Sequence, residues 1–512
     1  MNLPPRTGMH RGIFSPTGGY LLLAIGLLSG CAVGPDYDRP AAAQSAQFKH
    51  SAGWKTAAPA DTQIPSEWWQ LYADPQLNQL VGRLNISNQN LAGAEAQYQQ
   101  ARALVNKARA GFYPTLTGNS SVKRTGQGGG SSTLSSANGI NVSGANAASI
   151  SKSYEIGLNA SWELDVWGKL RRSLESSDAS FQASAADLAA MRLSLQSELV
   201  QNYLQLRVLD EQSRLLQATA AAYARSLKLS ENQYQAGIVA KSDVSQARTQ
   251  LYSTQAQAID LQWQRAQLEN ALAVLIGVAP SELRIASSLQ LPELPNIPLS
   301  LPSQLLERRP DIASAERQMI AANAEIGVAE AAWYPDLSLS ASGGYNNSSY
   351  ADWVSLPNRV WSIGPQLALT LFDGGARSAQ VDSAHAGYQQ TVAQYRQTVL
   401  DSFREVEDAL VKLRVLEQEA DVQQAAVNSA RESLQRINNQ YQAGIIDYNS
   451  VASVQTSTLS NERSALSLLG NRLTTSVQLI AALGGGWHSN PLENPAGAEP
   501  TMSSAESADA AL

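Results

Sequence analysis

From Lys169 to Ala236 the chain contains neither glycine nor proline. An unbroken run of that length reads as one helix, roughly 100 Å long at 1.5 Å per residue. It is far longer than the ~30 Å hydrocarbon core of a bilayer, and too polar to sit in lipid. Leu174, Phe181, Leu188, Leu195, Asn202, Leu209, Leu216 and Tyr223 recur at every seventh position. That is the seam of a coiled coil with one polar site, so the helix needs helical partners along its length.

The chain supplies such partners itself, because it is duplicated. The heptapeptide NQYQAGI stands at Asn232–Ile238 and again at Asn439–Ile445, 207 residues later. Ile156-Gly157 matches Ile363-Gly364, and Ile276-Gly277 matches Leu483-Gly484, at the same offset. Ala110–Leu116 matches Ala331–Leu337 at 221. The change of 14 falls where the first copy carries a Gly/Ser/Asn-rich tract, Thr125–Ser151, read as an enlarged loop. A collinear series with one local length change is an internal repeat.

Each copy reads as helix, strand, strand, long helix, bend, long helix. Repeat 1 covers 81–290, with strands at 115–123 and 153–166 and a helical hairpin at 169–276. Repeat 2 covers 300–487, with strands at 336–345 and 361–372 and a hairpin at 376–483. The second hairpin has a weaker seam, Val392, Val399, Val406 and Leu413, and Gly387 predicts a bend or fraying. At each bend Gly237 or Gly444 takes the left-handed cap position. Ser242-Asp243 and Asp447–Asn449 offer the acceptor that starts the return helix.

The strands alternate with period two. Tyr154, Ile156, Leu158, Ala160, Trp162, Leu164 and Val166 form an apolar face; Glu155, Asn159, Ser161, Glu163 and Asp165 stand opposite. Trp361, Ile363, Leu367, Leu369 and Leu371 repeat the theme. Aromatic residues gather at the strand ends: Trp162, Trp167, Trp333, Tyr334, Trp361 and Phe372. Alternating segments with aromatic girdles are the mark of an outer-membrane barrel. Only four such strands exist, whereas single-chain bacterial barrels start at about eight. Open sheet edges cannot face lipid, so further copies must complete the wall. Two copies give eight strands and three give twelve.

The first thirty residues read as an export signal. Arg6 and Arg11 form a basic region, Tyr20–Leu28 is apolar but too short to span, and Leu28-Ser29-Gly30 precedes Cys31. Cys31 is the only cysteine, and small residues before it resemble the lipobox of bacterial lipoproteins, which makes it the lipidation site. Ala32, rather than Asp, follows it and favours the outer membrane. The segment 31–80 is then the lipidated N-terminal part. Residues 488–512, rich in Ala, Ser, Glu and Pro, read as a disordered tail.

Taken in order, these features resemble the lipoprotein branch of the outer membrane factor family, the TolC/OprM-type channels. The carriers are Cys31–Tyr37, Glu67–Leu77, Arg308-Arg-Pro-Asp-Ile312, the paired Tyr-Pro strand starts, both Tyr-x-x-Gly bends and Gly484–Trp487. The resemblance implies a mainly α protein with a membrane β-barrel: a trimeric 12-stranded barrel in the outer membrane, continued by a long periplasmic α-helical barrel. It implies a passive efflux duct for drugs or small solutes. The partners would be a periplasmic adaptor and an inner-membrane transporter of the resistance–nodulation–division type. The bends would form the periplasmic tip, with Tyr234, Gly237, Tyr441 and Gly444 serving the gate and adaptor docking. Asp243 and Asp447 would add negative charge there, or act as helix caps. One departure stands out: where OprM-like relatives carry an Arg, a Leu and an Asp in the second bend, this chain has Gln440, Asn449 and Ser453.

Other classes fit poorly. The formal charge of −7 and the lack of a basic stripe argue against nucleic acid. His10, His50, His385 and His488 show no metal-ligand spacing, and Gly126–Gly130 lacks the lysine of a phosphate loop. No catalytic residue, metal or cofactor is expected. The competing readings are a type I protein-secretion duct and an envelope-bracing scaffold without transport.

Overall fold

A computed structural model describes residues 32–41, 48–49, 65–128, 131–135, 141–145, 149–288, 291–295, 297 and 308–487. The signal segment, Cys31, His10, His50, His488 and the tail lie outside them. In chain order the elements are α1 (Pro75–Ser87), α2 (Gln89–Ala110), β1 (Thr115–Gln127), β2 (Ser131–Ser135), β3 (Asn141–Ala145), β4 (Ser149–Glu163), α3 (Lys169–Gln235), α4 (Lys241–Leu275), α5 (Pro310–Ala331), β5 (Asp336–Asn347), β6 (Arg359–Ala368), α6 (Ala376–Gln442) and α7 (Tyr448–Ala482). The chain divides into two compact units; one division falls between Arg39 and Pro40 and the others inside α2, α3, α5 and α6.

The first unit comprises 1–39, 101–180 and 319–390. Its sheet is antiparallel in the order β1-β4-β5-β6, and β2 pairs with β3 in a separate ribbon. The Gly/Ser/Asn-rich tract is therefore not simply a loop. β1 and β4 stay paired out to Gln127 opposite Ser149, and Ser131–Ser135 faces Asn141–Ala145. Ser, Thr, Asn and Val tolerate the pleat, and the long strands end at Gln127, just before Gly128. The strands also end elsewhere than expected. β6 stops at Ala368 because its partner β5 begins there, at Asp336. β4 stops at Glu163. Asp165, read as part of that strand, instead caps α3 by accepting the N–H groups of Leu170 (2.9 Å) and Arg171 (3.1 Å).

The second unit comprises 40–100, 181–318 and 391–512. Its core gathers Leu195, Leu199, Tyr203 and Leu206 of α3 with Leu77 and Leu84 of α1, the C-terminal ends of α4 and α7 and the middle of α6. From Leu195 onward the apolar members of the heptad column, Leu195, Leu209, Leu216 and Tyr223, are buried, and the polar Asn202 is half-buried. The Glu67–Leu77 segment acquires its physical meaning here. A 3-10 turn, Trp68–Tyr72, buries Trp68, Trp69 and Tyr72, and Tyr72 Oη meets Ser476 Oγ at 2.7 Å. Asp74 then caps α1 ahead of Pro75. Gly387 does not fray α6, which runs unbroken for 67 residues. A lone glycine costs about 1 kcal/mol in a helix, too little to break so long a cooperative ladder.

The repeat is kept in three dimensions. Asn88 Nδ2 donates to the carbonyl of Leu275 at 2.7 Å; Arg309, 221 residues later, donates to that of Ala482 at 3.0 Å. Leu275 and Ala482 are themselves 207 apart. Gly277 lies against the carbonyl of Ser87, and Gly484 against that of Arg308, in the same way.

Candidate functional site

Both bends close α3 and α6 with the same motif. Ile238 N–H donates to Gln233 O and Gly237 N–H to Tyr234 O, each at 2.9 Å. Ile445 and Gly444 repeat this on Gln440 and Tyr441 at 3.0 Å. Gly237 has φ +72° and Gly444 +73°, the left-handed geometry of a Schellman cap. The return helices start differently in the two copies. Asp447 is the cap of α7, accepting Ser450 N–H at 2.9 Å. Those bonds, the backbone one first, hold its carboxyl below the usual carboxylate range. Asp243 is not a cap: Ala240 holds that position without a side-chain bond, and Asp243 sits in the first turn of α4. A cap must precede the first helical residue, and α4 already starts at Lys241. The two aspartates are therefore not counterparts in the repeat.

The two tyrosines also differ. Tyr441 is 6% exposed and Tyr234 is 46% exposed. Tyr441 Oη lies 3.0 Å from Ser230 Oγ and donates to Gln233 Oε1 at 2.8 Å, so the second hairpin docks on the first. Its ring meets Tyr448 edge-on with centroids 5.7 Å apart. Tyr448 is itself fully buried, and burial pushes its phenol up to about 12. Ile238 and Ile445 stand exposed beside the glycines.

The sheet presents its apolar face unburied: Leu116, Leu158, Trp361, Ile363 and Leu367 are all exposed. Its aromatics form two bands rather than one. Near the helices, Trp162 Nε1 donates to Phe112 O at 2.9 Å. Trp167 stacks on Tyr334 at 4.9 Å and donates to Pro335 O at 2.8 Å. Arg377 lies 4.7 Å over Trp333. Phe372 is exposed beyond the end of β6. Trp361 stands near the start of β6, opposite Gly343. It is the repeat counterpart of Tyr154, which packs with Tyr350 and Trp353 in the far band. Tyr154 and Trp162 are eight strand steps apart, about 27 Å along the strand before tilt, the scale of the ~25 Å apolar band of outer-membrane barrels. No described helix is long and apolar enough to cross a membrane.

Residues 80–278 and 301–485 match the family model for outer membrane efflux proteins. The chain belongs to the outer membrane efflux protein family. It is 30% identical to the cation efflux system protein CusC of Escherichia coli O6:H1, over 90% of this chain and 96% of that one. It is equally close to the solvent efflux pump outer membrane protein SrpC of Pseudomonas putida, at 30% over 91% and 97%. The solved structure of the outer-membrane channel OprN superposes with a TM-score of 0.79 at 31% identity, covering 89% of this chain and all of that one. This efflux protein is thus an outer-membrane channel component of a tripartite pump, mainly α with a barrel sheet and an internal repeat.

In this outer membrane efflux protein the segment just after Cys31 is strapped down. Val33 N–H donates to Trp167 O at 3.0 Å. Arg172, almost fully buried, donates to the carbonyls of Val33 (3.3 Å) and Gly34 (3.2 Å) and to Asp36 (2.8 Å). Asn323 holds Pro35 O at 2.9 Å. A Cβ on Gly34 would come within 2.4 Å of Gly327 Cα. Arg172→Ala should free this strap at a cost of about 1–3 kcal/mol. Limited proteolysis should then cut within residues 32–41 while the rest of the chain resists; unchanged protection would refute the strap.

One cluster escaped the sequence reading. Arg207 is 2% exposed within the apolar run of α3. It donates to Tyr203 Oη (3.0 Å), Asp210 Oδ2 (3.1 Å) and Ala286 O (2.8 Å). Arg265 completes it through Asp210 Oδ1 at 2.7 Å and Ile285 O at 2.6 Å. The available signal was a charged residue between Leu206 and Val208 in an otherwise apolar run, with Asp210 three residues on, on the same helix face.

Proposed function

We propose that this protein is the passive export duct of its pump, a homotrimer that carries drugs or other small solutes across the periplasm and the outer membrane. The observation that carries the reading is the four-stranded sheet with an exposed apolar face and two edges, β1 and β6, that are open among the described residues. Such a sheet cannot stand alone in water or lipid; lipid covers the face and identical neighbours cover the edges. Three copies give twelve strands.

A periplasmic adaptor and an inner-membrane transporter of the resistance–nodulation–division type load the duct, and substrate choice lies with them. The bends serve as the periplasmic tip. Tyr234, Ile238 and Ile445 are exposed there for closure or docking, Gly237 and Gly444 shape the turn, and Asp243 brings negative charge. Tyr441 acts inside one chain, tying its two hairpins together. With Gln440, Asn449 and Ser453 at the constriction positions, the charged gate of OprM-like relatives does not carry over. Cys31 carries the lipid anchor. The strap at Trp167 supports this, since it brings the start of the mature chain beside the helix-side aromatic band.

The test is gene deletion with a drug-accumulation assay, paired with conductance of purified protein in planar bilayers. Deletion should raise accumulation severalfold, and complementation should restore it. Unchanged accumulation together with no conductance would favour a bracing scaffold and reject the duct.

A further inference from the structure

The charges of the sheet are sorted by face. Cross-strand partners share a face, so the register assigns each charge to a side. The strands β1, β4, β5 and β6 carry seven charged residues. Lys123, Glu155, Glu163 and Asp336 stand on the face opposite the apolar one. Arg124, Lys152 and Arg359 share the apolar face with Leu116, Leu158 and Ile363, and no acid of these strands joins them there. A charge on the lipid side of a barrel is costly at mid-depth and cheap only near the interface. All three lie toward the strand ends remote from the helices. Lys152 is ten strand steps from Trp162, roughly 34 Å before tilt, at the edge of the ~25 Å apolar band. The helices lie on the periplasmic side of this channel, so that edge belongs to the outer leaflet.

Two features show that these cations await an anion. Arg124 and Lys152 are direct cross-strand partners, and like charges placed opposite each other repel. The chain between them, residues 125–151, contains no charged side chain. Asp352 is the one acid between β5 and β6. It is exposed, and among the described residues neither it nor any other acid forms an ion pair with Arg124, Lys152 or Arg359. Beside the charges the apolar face is hollow. Gly343 stands between Leu158 and Trp361, its partners on β4 and β6, and nothing lies within 4 Å of where its Cβ would be. The hollow is a groove of about 940 Å³ walled by Ile156, Leu158, Tyr345, Val354 and Trp361, with Arg359 in its lining. That is the upper part of the roughly 300–1,000 Å³ range of small-molecule sites.

We propose that the outer end of the apolar face is a binding site for a phosphorylated glycolipid of the outer leaflet, of the lipid A type, with phosphates on Arg124, Lys152 and Arg359 and an acyl chain in the groove at Gly343. The inference rests on the reading above that lipid covers this face. One phosphate between Arg124 and Lys152 turns their repulsion into a shared charge-assisted contact. Arg359 is level with Ile156, through Tyr345. It is therefore four strand steps from Lys152 along the strands and two strands away across the sheet, which suits a headgroup with two separated phosphates. The groove and the cations adjoin, so one amphipathic molecule fills both.

The test is a titration of purified full-length protein, in a neutral detergent, with fluorescently labelled bisphosphoryl lipid A. Unlabelled lipid A should displace the probe at least about tenfold better than its dephosphorylated form or phosphatidylglycerol. Displacement by phosphatidylglycerol at the same concentration would show a general anionic-lipid surface and overturn the glycolipid site. Displacement by inorganic phosphate alone at that concentration would show a free-anion site and overturn it too. The triple variant Arg124→Gln, Lys152→Gln, Arg359→Gln should bind lipid A about a hundredfold more weakly, and each single variant about fivefold. Lys123→Gln, one residue away on the other face, should bind as the native protein does. Gly343→Leu fills the groove and should weaken binding about tenfold. Each protein is first inserted into phosphatidylcholine vesicles and checked for native conductance. If the triple variant does not insert, the single variants decide. Inserted variants that bind lipid A like the native protein overturn this site and leave the lipid-covered face standing; a native protein that does not enter phosphatidylcholine vesicles overturns both.

Discussion

Gly484→Ala is expected to destabilise the protein by about 3–5 kcal/mol, and Gly444→Ala by only about 1–2 kcal/mol. Both glycines end a helix with the same Schellman pattern, and both have positive φ, +94° and +73°. An alanine at either therefore meets the left-handed penalty. What differs is the space. A Cβ at Gly484 would lie 2.0 Å from the carbonyl oxygen of Arg308, so the start of α5 would have to move. At Gly444 nothing lies within 4 Å. The first copy repeats the contrast. Gly277 would meet Ser87 O at 2.1 Å with φ +73°, and Gly237 meets nothing. Gly277→Ala should therefore follow Gly484→Ala, and Gly237→Ala should follow Gly444→Ala. The measurement is the urea midpoint of detergent-solubilised protein for all four variants. Equal losses at all four positions would show that the backbone conformation alone, not the packing, governs these caps.

Arg207→Ala should cost about 3–5 kcal/mol, the range for breaking a buried ion pair by removing one partner. The loss exceeds the guanidinium's own bonds, because Asp210, Tyr203, Gln76 and the carbonyl of Ala286 would all keep buried polar atoms short of a partner. Arg207→Lys should recover little, since one ammonium cannot reach that set of acceptors at once. The damage should be local first. Arg207 and Arg265 hold the carbonyls of Ala286 and Ile285, so hydrogen exchange should quicken around 283–288 before the helices respond. Arg214→Ala is the control: its pair with Glu211 is at the surface, and no measurable change is expected. If Arg207→Ala matched Arg214→Ala, the cluster would be carrying nothing.

The long helices, the bends and the duplication were legible because their causes are local. A run free of glycine and proline propagates one hydrogen bond per residue, and the cap needs a glycine only at its own position. The four alternating strands and the arithmetic of barrel closure were legible for the same reason. Other features turned on distance in space. NQYQAGI is identical in both copies, yet Tyr441 is buried and Tyr234 exposed, because Ser230 and Gln233 stand across from Tyr441 and, among the described residues, no such pair stands across from Tyr234. Asp243 and Asp447 read alike as caps, but both return helices begin at the same repeat position, Lys241 and Tyr448, and only Asp447 stands just before that start, whereas Asp243 lies inside the first turn.

By itself the amino-acid order determined the backbone: helix lengths, left-handed turns, strand periodicity and the copy number of the repeat all follow from steric and hydrogen-bonding preferences within a few residues. Tertiary structure alone decided which equivalent side chains are enclosed, where the strands end, that Arg207 sits in the core, and that the loop tract contains a ribbon. Those outcomes depend on which atoms arrive from hundreds of residues away, and no short-range preference encodes an atom's neighbour across a gap.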